Sequence, residues 1–155
     1  MMRQDYILRL IGELRQFVGE VLGSGDPGRT GEALSAVLHA QQQLFHLPPE
    51  DFTGRSLDDQ VDLLARGESS AAAFEKAATY AATLTEAARV YAAANRDALA
   101  RSSRQLALGV LLTAAQRWPE HRGSLGDEVT ALRAQFSLES LVPPVAELLA
   151  AWDAA

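Results

Sequence analysis

Apolar residues recur every three or four positions near the start of the chain: Ile7, Ile11, Leu14, Val18 and Val21, flanked by Leu10 and Phe17. At about 100° of rotation per residue they form one stripe, which predicts an amphipathic helix from Arg3 to Leu22 lying on the rest of the chain. Gly23-Ser24-Gly25 ends it. Asp26-Pro27 then offers a capping carboxylate followed by a proline suited to a first helical position. The second helix carries Leu34, Val37, Leu38, Gln41, Leu44 and Phe45 on one face and ends at Pro48-Pro49. A short third helix is expected from Ser56, with Asp59 three residues on as a capping-box-like partner, Leu57, Val61 and Leu64 inward, and Gly67 as its stop.

From Ser69 to about Asn95 runs a long helix of small residues: Phe74, Ala78, Ala81, Ala88 and Ala92, with Tyr80, Leu84 and Tyr91 beside them. Asn95 tolerates the left-handed backbone of a tight connection. The next helix, Ala98 to Trp118, is apolar all round between Leu106 and Ala115, which marks it as central and buried. Pro119 stops it. Weaker patterns predict helices near Asp127 to Phe136 and Pro144 to Trp152. Helices joined by short connections pair as antiparallel neighbours, so the two long ones form a hairpin.

Two resemblances follow from these residues. Gln4-Asp5-Tyr6-Ile7, continued by Arg9 and Ile11, resembles the opening of a bacterial family of short all-helical proteins with no assigned activity. That resemblance implies a fold type without a task. Within the hairpin, Ala107, Leu111, Ala114 and Pro119 are loosely similar to the second half of a tetratricopeptide repeat. The Trp-Leu-Gly-Tyr pattern of the first half is not present upstream. The resemblance implies a hairpin of the kind that cradles peptides, with a groove along the small-residue face of the Ser69–Asn95 helix.

Composition agrees with helices throughout. Of 155 residues, 48% are hydrophobic, and the alanines among them concentrate between Ala71 and Ala115, favouring close helix packing. No alternating strand run appears. The expected fold is all-α: one domain over 1–155, a bundle of six or seven helices divided into an amino-terminal part (1–66), the long hairpin (69–118) and a carboxy-terminal part (124–155). The net charge of −6 comes with scattered arginines and a single lysine, Lys76, which argues against nucleic acid as a partner. There is no cysteine, so disulfides and thiolate chemistry are excluded. Arg9, Glu13 and Arg15 interrupt any signal-peptide core. The longest apolar run is about half of the ~20 residues a membrane span needs. The first helix also balances its charges, with Asp5 and Arg9 spaced for an ion pair, so it lacks the excess basic charge of a helix drawn to anionic lipid. The expected setting is the cytoplasm, without membrane contact.

Candidate chemistry is sparse. His39 and His46 lie seven positions apart, about 10 Å of helical rise, too far for one metal ion without further ligands. Glu50, Asp51, Asp58, Asp59 and Asp62 are dense, but Asp58 and Asp59 fit a first helical turn, where carboxylates complement the helix dipole. Ser102, Ser103 and His121 lack the sharp turn a serine nucleophile needs. Gly23-Ser24-Gly25 lacks the residues of a phosphate loop. Tyr80, Tyr91 and Trp118 sit at spacings typical of core. Neither a metal nor a cofactor is implied.

Three features invite contact. Gly12 and Gly19 face away from the first helix's apolar stripe, and each costs about 1 kcal/mol against alanine in a helix interior. Close approach of a partner chain would justify them, against simple drift at exposed positions. Arg89 and Arg96 are placed to receive an acidic partner near the hairpin. Gln41, in the middle of an apolar stripe, requires a buried hydrogen-bond partner, expected to be a loop backbone unless it marks an interior polar site. The expected function is a non-catalytic helical interaction module with an unknown protein partner. A small-ligand binder or enzyme with an interhelical pocket, and a self-associating homo-oligomer such as a homodimer, are the alternatives.

Overall fold

The computed structural model describes residues 2–155, and the side chains of all of these except 2–5 and Leu138. Among the described residues it holds seven α-helices and no strand: α1 (Met2–Gly23), α2 (Thr30–Phe45), α3 (Leu57–Ala65), α4 (Ser70–Ala93), α5 (Asp97–Arg117), α6 (Gly126–Arg133) and α7 (Pro143–Ala154). Short 3-10 turns join several of them, the longest at Pro119–Leu125. The all-α bundle expected from the periodicity is the observed fold.

Side-chain caps set the starts of α3 and α4. Ser56 Oγ accepts from the Asp59 amide at 3.1 Å, and Ser69 Oγ from the Ala72 amide at 3.2 Å, each satisfying a donor that a helix start leaves open. Asp26 behaves differently. Its carboxylate accepts from Gly28 N at 2.9 Å and caps the 3-10 turn Pro27–Arg29, so α2 begins only at Thr30. At the hairpin, Asn95 takes φ 61°. The amide of Arg96 reaches back to the Tyr91 carbonyl at 2.8 Å, and that of Asn95 to Ala92 at 3.1 Å. This pair of bonds is the Schellman closure, with asparagine in the left-handed position. α6 ends at Arg133 rather than Phe136, and the preceding turn from Pro119 absorbs residues expected to be loop.

α4 is the centre of the bundle. Its most extensive contact is with α5, and it also touches α1, α2 and α3. α5 receives α3, α6 and α7 on its remaining sides. Of the run Leu106–Ala115 expected to be buried, every residue from Ala107 on is buried, while Leu106 is half-buried. Phe45 stacks on Phe52 at 4.2 Å between centroids, and the Tyr80 ring meets Phe45 edge-on at 4.9 Å. A second cluster joins Ile11, Leu14 and Val18 to Val37 and to Val90 of α4.

Two inward assignments need correction. Leu38 was expected on the buried face of α2 but is 38% exposed, while Ala33 and Ala40 are buried. One helical step from Val37 turns Leu38 about 100° away, past the edge of the contact with α1 and α4. Second, the small-residue side of α4 is narrower than its composition suggests. Lys76, Thr79, Thr83 and Glu86 are all buried, because a helix touched by four neighbours has little free surface, and alanine lets those neighbours come close.

Candidate grooves on the two sides of the helical hairpin

One stripe of α4 is left partly open. Glu75, Ala78, Ala82 and Thr85, spaced three, four and three apart, are each half-buried and form the floor of a groove of about 380 Å³. Leu8, Ile11 and Arg15 of α1 make one wall, and Glu128, Ala131, Leu132 and Gln135 in and just beyond α6 make the other. Leu8 is 58% exposed, the most open large apolar side chain among those described. Of the small residues named on the Ser69–Asn95 helix the groove uses Ala78 and Ala81, whereas Ala88 is buried and Ala92 lies outside it.

A larger groove, about 720 Å³, runs along α5 between the start of α3 and α7. Leu57, Leu106, Val145 and Leu148 form its apolar surface, and Asp58 and Glu147 stand at its edge. Thr113 lines this groove and Leu111 the other. Two residues are about 200° of helical rotation, so the grooves open on opposite sides of α5. Leu57 of α3 and Val145 of α7, both in the groove's lining, also converge on Gly109 of α5. A Cβ added there would lie 2.8 Å from Leu57 Cδ1 and 3.3 Å from Val145 Cγ2. Nothing in the run Leu106–Ala115 distinguished Gly109 from its neighbours, since the close approach is made by residues far off in sequence.

Polar groups in the interior satisfy one another. Gln41 Nε2 donates to Thr83 Oγ1 at 3.1 Å, and that hydroxyl donates to the Tyr80 carbonyl at 2.6 Å. Tyr80 Oη donates to Gln60 Oε1 at 3.1 Å, and Gln60 Nε2 to the Phe52 carbonyl at 3.0 Å. Gln41 is therefore buried as expected, but its partner is a hydroxyl on α4 rather than a loop backbone. Burial pushes the Tyr80 phenol well above its usual range, the bond to Gln60 offsetting this only in part. Among the described residues no buried side-chain nitrogen or oxygen lacks a partner. Gln41 lines neither groove.

The other candidates are spread over the surface. Gly12 is exposed and Gly19 half-buried, and an added Cβ at either would meet nothing within 4 Å. No contact within the chain demands glycine there. Arg89 binds the buried carboxylate of Glu86 at 2.5 Å, with Arg15 of α1 on its other oxygen at 4.0 Å. Arg96 is exposed at the start of α5. Neither Arg89 nor Arg96 lines a groove. His39 bonds Gln43, whereas His46 leaves the helix altogether, ending α2 at φ 56°. His121 lies with its ring 5.0 Å from that of Phe74. The expected Asp5–Arg9 pair involves Asp5, whose side chain lies outside the described residues. Among those residues, no three histidines or carboxylates stand close enough to hold a metal ion, and no helix is long and apolar enough to cross a membrane.

The fold and its grooves define a helical bundle with two elongated apolar surfaces. Comparison with protein-family models, with curated proteins and with solved structures gives no match.

Proposed function

We propose that the protein is a non-catalytic interaction module of the cytoplasm whose groove across α4 receives one amphipathic helix of a partner protein. The observation that carries this is the open stripe Glu75–Ala78–Ala82–Thr85, overlooked by the exposed Leu8. It extends about 15 Å along the helix axis, three turns, at ~1.5 Å per residue. Alanine on the floor lets a partner backbone come close, and Leu8 and Leu132 supply apolar walls for its anchors. Arg15 on one wall and Glu128 on the other give the occupant a direction. The similarity of Ala107, Leu111, Ala114 and Pro119 to part of a peptide-cradling repeat supports the same reading, as an analogy of fold. We take the Gln4–Ile11 pattern to mark the chain as one of the bacterial helical proteins it resembles.

A benzophenone amino acid placed at Leu8 and activated in cells of the source organism tests this. The expected result is one crosslinked protein that disappears when Ala82→Arg fills the floor. Crosslinking unchanged by Ala82→Arg, or confined to a second copy of the chain, overturns the proposal.

A further inference from the structure

We infer that the wide groove along α5 is a second, independent docking site, taking a basic amphipathic segment of a partner protein. Its lining runs from Ser102 to Gln116, about 21 Å at ~1.5 Å per residue, so the occupant is elongated rather than compact. Leu106, Val145 and Leu148 give it apolar ground along that length. The charge is one-sided. Asp58 on the α3 side and Glu147 on the α7 side are the charged lining residues, and no cationic side chain joins them. Arg117 stands behind Asp58 but is shared, bonding both Asp58 and Asp62. Asp62 lies outside the groove, so the lining itself carries two carboxylates, Asp58 and Glu147, the first of them bonded to Arg117.

An apolar stripe bordered by lysine or arginine meets both rims favourably, whereas an acidic segment would be repelled from both. The overall charge of −6 adds long-range attraction for the same class of partner. The α4 groove differs in having a cationic side chain, Arg15, in its own lining beside Glu75 and Glu128. The two sites share no lining residue and open on opposite sides of α5, so they do not depend on each other.

The test uses the full chain and a fluorescein-labelled helical peptide of about 14 residues, enough to span the groove. The peptide carries a leucine stripe and flanking lysines, and a matched peptide has glutamates instead. Fluorescence anisotropy should show the lysine peptide binding at least ~10-fold more tightly than the glutamate peptide, with the difference shrinking as salt rises. Glu147→Lys and Ser102→Trp, both at exposed positions, should each weaken it ~10-fold or more while thermal melts stay unchanged. Leu8→Glu, in the other groove, should leave it unaltered. Equal affinity for the two peptides, or indifference to both groove variants, overturns the inference. Loss of binding in Leu8→Glu alone also overturns it, and leaves the α4 proposal standing. If light scattering finds a dimer that Glu147→Lys separates, the occupant is a second copy and the inference fails.

Discussion

Replacing Gly109 with alanine measures how tightly α3 and α7 close over α5. Alanine is favoured over glycine in a helix interior by about 1 kcal/mol, so a free site would be stabilised by that amount. This site is not free. The new methyl would lie 2.8 and 3.1 Å from the two δ carbons of Leu57 and 3.3 Å from Val145 Cγ2, where carbon atoms rest at about 3.5–4.0 Å. Overpacking of this kind costs about 1–3 kcal/mol. Leu57 is half-buried beside the wide groove and can swing partly into it, but Val145 is buried and has less room. The steric cost therefore falls near the middle of its range and exceeds the propensity gain, for a net loss of about 1 kcal/mol. In a Leu57→Ala background the two closest contacts vanish, and the same change should become neutral or stabilising by up to about 1 kcal/mol. The double-mutant cycle, read by urea denaturation with circular dichroism, should give a coupling of about 1–2 kcal/mol. Equal stabilisation in both backgrounds would refute the close approach of Leu57 and Val145 to Gly109.

Further expectations follow from the buried polar chain and the helix ends. Tyr80→Phe should cost about 1–2 kcal/mol by leaving Gln60 Oε1 short of a donor. The raised phenol pKa means that the unfolded chain loses its Tyr80 proton first, so stability should decline as pH climbs past the ordinary tyrosine value of 10.0. Chemical denaturation at stepped pH should show that decline reduced in Tyr80→Phe, and identical slopes would contradict it. Gln41→Glu should destabilise more than Gln41→Leu near neutral pH, because a carboxylate would be buried beside Thr83, and the gap should narrow as acid protonates it. The reverse order in denaturation midpoints would count against the burial of Gln41. His46→Gly should raise Tm by about 1–2 °C, since glycine occupies the left-handed cap without strain. Calorimetry finding a lower Tm would argue that the His46 side chain has a contact of its own.

Much of the fold was legible because helix periodicity and caps act over a few residues. Ser56, Ser69 and Asn95 each do what their types suggest, and the stripe from Ile7 to Val21 is buried throughout. Where the expectation slipped, distant neighbours were responsible. Leu38 falls outside the edge of a contact whose width depends on α1 and α4. Glu86 and Lys76 lie among alanines with no local sign of burial, and are covered because α4 lies among α1, α2, α3 and α5. The site was less legible. Gly12, Gly19, Arg89 and Arg96 stood out in the sequence but line no groove, whereas Leu8, Glu128, Gly109 and Glu147 drew no attention.

By itself, then, the amino-acid sequence determined that this chain is helical, where most helices start and stop, that nearly all of Leu106–Ala115 is interior, and that Gln41 must find a buried partner. Each of these rests on rotation per residue, capping chemistry or the cost of an unpaired polar group, all of them local. Only the tertiary structure decided that Gln41 meets Thr83, which stripe of α4 stays open, and that Leu57 and Val145 converge on Gly109. Those outcomes depend on which surfaces remain after every helix has buried its own. That remainder belongs to the assembled bundle, and no single helix carries it in its pattern.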